Sequence, residues 1–158
     1  MKKFLTLSLT FIICIFSLTA CTTREEAYQL PTETVVPEEQ IKVACTALVK
    51  SRIYLELENN SDIEWTYGEN RGFLIRQKGD GWAYLIPAPD IVYNDVAYVL
   101  APKGGQHHFA FNLPLLYGSL PDGHYRAGVR LTSEAGDQYV WYEFDTSDMT
   151  EAVDIECN

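Results

Sequence analysis

Leu120-Pro121-Asp122-Gly123-His124-Tyr125-Arg126-Ala127-Gly128-Val129-Arg130-Leu131, then Ser133-Glu134-Ala135-Gly136-Asp137, then Tyr139-Val140-Trp141-Tyr142-Glu143-Phe144, reads as two long strands around a turn. Tyr125 stands two residues after Gly123, just as the first strand begins. That position suits a tyrosine corner, in which the ring packs inward and the hydroxyl bonds an upstream backbone group. An ordinary strand Tyr is the plain alternative.

Working upstream, the apolar period from Ile41 onward stays close to two, with turn signals about every ten residues, the pattern of an antiparallel sandwich rather than of helices. Ile41 to Cys45 reads as a first strand. Ile53-Tyr54-Leu55-Glu56-Leu57-Glu58 puts Ile53, Leu55 and Leu57 on one face, and Asn59-Asn60-Ser61-Asp62 ends it with residues that tolerate a left-handed backbone. Gly72 to Gln77 and Trp82 to Ile86 flank Lys78-Gly79-Asp80-Gly81, a hairpin by its turn chemistry. Ala97 to Leu100 is a short strand stopped by Pro102-Lys103-Gly104-Gly105, and His107 to Asn112 alternates with Phe109 and Phe111 on one face. The expected fold is all-β, an antiparallel sandwich.

Composition agrees. The 158 residues are 47% hydrophobic and include ten Tyr, seven Phe and three Trp, which favours strands and allows one compact domain. A net charge of -10, from 12 Lys+Arg against 22 Asp+Glu, leaves no basic patch for phosphate contacts, so a nucleic-acid partner is not expected.

Leu55-Glu56-Leu57-Glu58-Asn59-Asn60-Ser61 with Tyr67-Gly68, Trp82 after the Lys78–Gly81 turn, and Leu115-Leu116-Tyr117-Gly118-Ser119-Leu120-Pro121-Asp122-Gly123-His124-Tyr125-Arg126 together resemble a bacterial Ig-like domain family. That family is found on lipoproteins and membrane-anchored proteins, mostly of Gram-positive bacteria. The resemblance covers roughly residues 46–146 and implies an immunoglobulin-like sandwich of about seven strands. Its motifs are structural, so it carries over no catalytic residue. The tail from Ser147 to Asn158 goes beyond the pattern.

At the N-terminus, Met1-Lys2-Lys3 is a short positive start, Phe4 to Leu18 an apolar run, and Leu18-Thr19-Ala20 leads into Cys21. Residues 1–20 therefore read as a signal peptide whose end resembles the lipobox of bacterial lipoproteins, with Cys21 lipidated and becoming the mature N-terminus. The run falls short of the roughly 20 residues that a spanning helix needs. An ordinary secretory signal with a chance Cys is the bland alternative. Cys14 is removed with the signal. Removal of Lys2 and Lys3 with no acid takes the net charge from -10 to -12, so the domain is repelled by anionic lipid and held by its acyl chains alone. Residues 21–40, with five Glu and two Pro, read as an acidic disordered spacer averaging roughly 25 Å end to end. A helical turn at Glu25 to Gln29 that docks on the domain is the competing reading. Residues 41–158 are then one unit.

Cys45 and Cys157 are the cysteines left besides the lipidated one, and the cell exterior permits a bridge between them; two free thiols is the other reading. Such a bridge closes a loop for which the chain-entropy model allows up to about 4.7 kcal/mol. His107, His108 and His124 are unfavourably spaced for zinc, because neighbours on a strand point to opposite faces. Asp145-Thr146-Ser147-Asp148 and Asp154-Ile155-Glu156 lack the spacing of a calcium loop and read as solvated acids. No cofactor, metal site or catalytic residue is expected. Trp65, Tyr67, Tyr93, Tyr117, Trp141 and Tyr142 form a possible ligand platform, since exposed aromatics stack on sugars or anchor proteins, though alternation turns half of the strand aromatics inward.

These readings point to a non-enzymatic module at the extracytoplasmic face of the cell membrane, lipid-anchored, that binds an envelope protein or supports envelope assembly. A carbohydrate-binding lipoprotein using strand aromatics is the alternative.

Overall fold

The structure, a computed structural model, describes residues 25–27 and 40–151. Its strands are β1 (Glu25–Ala27), β2 (Ile41–Val49), β3 (Arg52–Asn59), β4 (Trp65–Gly68), β5 (Gly72–Lys78), β6 (Gly81–Leu85), β7 (Ala97–Leu100), β8 (Gly105–Asn112), β9 (His124–Ser133) and β10 (Gly136–Asp145), with one helical turn, α1 (Leu113–Leu116), after β8. Every strand pair is antiparallel. One sheet has the order β2-β3-β8. In the other, β9 pairs with β10 along one edge, while its second edge is shared by β5, over Tyr125–Val129, and β4, at Thr132. Outside these lie β6, paired with β5, and β7, paired with β4.

The sandwich expected from the periodicity is present, with nine strands within residues 40–151 rather than the seven or so that the resemblance implies, and β1 as a tenth. The strand that sequence does not announce is β4. It is only four residues long, too short to show a period, and a 3-10 turn at Glu69–Arg71 separates it from β5. Glu25–Ala27, within the stretch read as disordered spacer, instead pairs with Ala83–Leu85 at the free edge of β6.

Turn chemistry acts as expected at Lys78–Gly81. Gly79 takes φ +58 at the first central position of a two-residue loop and Asp80 does not, the signature of a type II′ turn that follows the twist of its flanking strands. The expectation for Asn59 and Asn60 is corrected: among the described residues the only non-glycine with positive φ is Lys103. Asn59 is instead fully buried and serves as a polar hub. Its Nδ2 donates to the carbonyls of Ile63, Leu100 and Ala101, and its Oδ1 accepts from the backbone and hydroxyl of Ser61.

The core lies between the two sheets. Ile53, Leu55 and Leu57 from β3 and Phe109 and Phe111 from β8 meet Trp65, Leu74, Leu85, Tyr125, Val129, Leu131 and Phe144 from the opposite sheet. Each such aliphatic or Phe side chain contributes about 1.5–3 kcal/mol on burial. Tyr125 is fully buried, stacks on Phe144 with ring centroids 5.6 Å apart, and its hydroxyl donates to the Pro121 carbonyl at 2.6 Å, which is tyrosine-corner geometry. Cys45 faces this core from β2 beside a bulge at Thr46, with a free thiol that burial shifts to higher pKa; Cys157, its expected partner, lies outside the described residues.

Candidate functional site

β7 and β8 diverge from the tight turn at Ala101–Gly104, and each pairs with only one neighbour among the described residues. Between them opens a cleft of about 360 Å³ at one lateral edge of the sandwich, roofed by the β6–β7 connector, residues 86–96, and by α1. The connector is fastened at both ends. The Ala88 backbone donates to the Leu116 carbonyl at 2.8 Å, and Asn94 donates from its backbone and its amide to the Glu69 carboxylate, each at 3.1 Å.

Core aromatics form the base of the cleft. Tyr67 packs 5.8 Å from Phe109 and 5.5 Å from Tyr98, and Tyr98 lies 4.9 Å from His107. Alternation explains the set, because β4, β7 and β8 each turn an aromatic or imidazole ring toward the same gap. The Tyr67 hydroxyl is hydrogen-bonded to His107 Nδ1 and is driven to higher pKa by burial, so the phenol stays neutral. Tyr98 donates to Glu69 at 3.2 Å. Donation from the Asn94 side chain first, then from its backbone, holds the Glu69 carboxyl below the usual carboxylate range. Glu69 is the one carboxylate among the described lining residues, which include no Lys or Arg. The rim is apolar and open to solvent: Val92 is 94% exposed and Leu115 57%.

A second aromatic group lies on the outer face of the larger sheet. The Arg126 guanidinium sits 4.0 Å from the Trp82 ring centroid and 4.8 Å from that of Trp141. Glu143 accepts from Arg126 Nε at 2.7 Å and lies 3.2 Å from His124 Nε2. Burial would raise the Glu143 pKa, but donation from Arg126, His124 and Trp141 outweighs it and the net shift is downward. This cation–π stack fastens β6, β9 and β10 together.

The six aromatics singled out by sequence do not form one platform. Trp65, Tyr67 and Tyr117 are buried core residues, because their strand or loop positions point between the sheets, and Tyr142 packs against the same core. Tyr67 and Tyr117 meet the cleft from its base, Tyr93 stands on its rim, and Trp141 is on the outer face. Sequence reasoning passed over Glu69 and Tyr98 and weighed His107 only as a metal ligand; topology alone brings the three together. The available signal was Ile91-Val92-Tyr93, an apolar triplet inside a Pro- and Asp-containing connector. Among the described residues no group of three or more His, Cys, Asp and Glu is arranged to hold a metal, and no helix is long and apolar enough to cross a membrane. Cys21 lies outside the described residues.

A family model described as a bacterial Ig-like domain matches residues 38–152. The chain belongs to the bacterial Ig-like domain family. The match spans β2 to β10, so both sheets and the cleft of this Ig-like domain fall within it. No curated protein matches the chain. One solved structure, an X-ray structure of a Northeast Structural Genomics Consortium target, is similar over 73% of this chain and 90% of its own, at 12% identity and a TM-score of 0.44. Ig-like families of this kind point to an extracellular module and are generally non-enzymatic.

Proposed function

We propose that this Ig-like domain is a non-enzymatic binding module, held at the extracytoplasmic face of the membrane by lipid on Cys21, and that it engages a protein partner through the cleft between β8 and the 86–96 connector. The observation that carries this reading is the exposed apolar rim, Val92 and Leu115, over an aromatic base. Exposed apolar side chains gathered around a cleft are a feature of protein-interaction sites. Pairing of β1 with β6 supports a close tether. Only three residues lie between Cys21 and Glu25, four chain steps with a reach of roughly 14 Å, and β1 and the cleft lie on the same lateral edge of the sandwich.

The glycan alternative would use the outer-face indoles. Arg126 already stacks on both Trp82 and Trp141, so ring faces that a sugar would need are engaged within the protein, and the protein partner is the better-supported reading. Intact mass and membrane partitioning of the native protein beside Cys21→Ser test the anchor: diacylglycerol on the native chain and release of the variant are expected. Photo-crosslinking in cells from position 115 tests the cleft. A discrete crosslinked protein that disappears with Val92→Asp is expected; absence of any crosslink rejects the site.

A further inference from the structure

Beyond a generic partner, and resting on the protein-binding reading above, the cleft has features that specify a ligand class. β8 offers eight residues of backbone whose outer edge is unpaired among the described residues, and its residues from His107 to Asn112 line the cleft along that edge. An exposed strand edge is a template for an added strand. Across the cleft from β8 stands the half-buried Tyr98 ring, backed by the buried Tyr67, with the Glu69 carboxylate hydrogen-bonded to the Tyr98 hydroxyl. Tyrosine faces attract cations, and the hydrogen bonds from Asn94 and Tyr98 favour the ionised form of Glu69. The connector overhead adds Asp90 and Asp95 and no base.

We propose that the cleft takes an extended segment of a partner protein that pairs with the edge of β8 left unpaired among the described residues and places a Lys or Arg side chain against Tyr98 and Glu69. Charge selects this occupant over two others. Residues 28–39 of the chain itself carry Glu33, Glu38 and Glu39 with no Lys or Arg, and a second copy is strongly acidic, at -10 before loss of residues 1–20 and -12 after it, so both meet like charge. A cationic strand meets opposite charge.

The test uses the complete lipid-free chain, Cys21→Ser, and three hexapeptides: one alternating Val and Lys, its Val and Glu counterpart, and the Val and Lys peptide N-methylated at alternate residues so that it cannot pair as a strand. Binding is read by amide NMR shifts and hydrogen exchange over Gly105–Asn112. The cationic peptide is expected to protect β8 amides and to bind at least about tenfold more tightly than the acidic one. The N-methylated peptide is expected to fail, and Glu69→Gln, which keeps the shape but removes the charge and turns one accepting oxygen into a donor, to weaken binding about fivefold. Equal binding of cationic and acidic peptides, or no effect of Glu69→Gln, overturns the cation site. Equal binding of the N-methylated peptide overturns strand addition. If no peptide perturbs β8 at millimolar concentration the proposal fails, and the crosslink from position 115 then separates the two levels: its presence leaves the protein-binding reading standing, and its absence removes both.

Discussion

Tyr125 Oη and the carbonyl oxygen of Pro121 are 2.6 Å apart, and this bond closes the corner through which the chain enters β9, the strand shared by β10, β5 and β4. Tyr125→Phe keeps the buried ring and its stack on Phe144 while removing the donor. Loss of one neutral hydrogen bond costs about 1 kcal/mol, because the Pro121 carbonyl, in an exposed residue, recovers water. In urea unfolding the midpoint is expected to fall with the slope unchanged. A changed slope would mean that the corner sets the compactness of the fold rather than one local bond.

Asn59 supports a larger effect. Its amide faces three carbonyls, those of Ile63, Leu100 and Ala101, at 2.7, 3.1 and 3.0 Å, and so ties the end of β3 to the end of β7. Asn59→Asp replaces three donations with a buried carboxylate facing acceptors, and a cost above about 3 kcal/mol at neutral pH is expected. The sign with pH follows from burial, which raises the folded pKa of the new Asp. The loss is fully developed above that raised value and shrinks as pH falls through it toward the unfolded value, until both states are protonated. Thermal melts of both proteins between neutral pH and pH ~4 check this, and a loss independent of pH would refute it.

How far such features could be read in advance depends on their range in the chain. Ile53, Leu55 and Leu57 were legible because alternation is a local property, and all three are fully buried. The Gly79 turn was legible because φ preference belongs to single residues. Asn59 was read only as a turn former, since its three acceptors lie up to 42 positions away and nothing local distinguishes a solvated Asn from a buried hub. The cleft was illegible for the same reason. Glu69, Tyr98 and His107 sit on three separate elements, and only the shared use of one β9 edge by β4 and β5 brings the wall opposite β8. Trp65 shows the converse error: a large aromatic outside a visible period looks available for a ligand, yet size makes it a principal core filler.

Gly128 lies in mid-β9, where glycine has no intrinsic advantage. A Cβ there would come within 2.4 Å of both Phe73 Cζ and the Val140 carbonyl oxygen. The ring can rotate away, but the carbonyl belongs to the β9–β10 ladder and is fixed. Gly128→Ala is therefore expected to cost about 3 kcal/mol, and adding Phe73→Ala should not restore stability. Rescue by the double variant would show that the ring, not the backbone, sets the requirement for glycine.

Glu69 and Asn94 link the cleft's charge to its roof. Because the folded pKa of Glu69 is lowered, its bonds to Asn94 favour the folded arrangement fully above the ordinary carboxylate value of 4.5 and lose that contribution as pH falls through the lowered folded value. Asn94→Ala removes the side-chain donations, the largest cause of the shift, and leaves the backbone donation in place. In a carbon-detected NMR titration the Glu69 carboxyl is expected to titrate at higher pH in Asn94→Ala than in the native chain, with faster exchange of the amides from Val92 to Val96. Coincident titration curves would show that the connector is held by its link from Ala88 to Leu116 alone, and that the negative charge facing the cleft is set by solvent rather than by its roof.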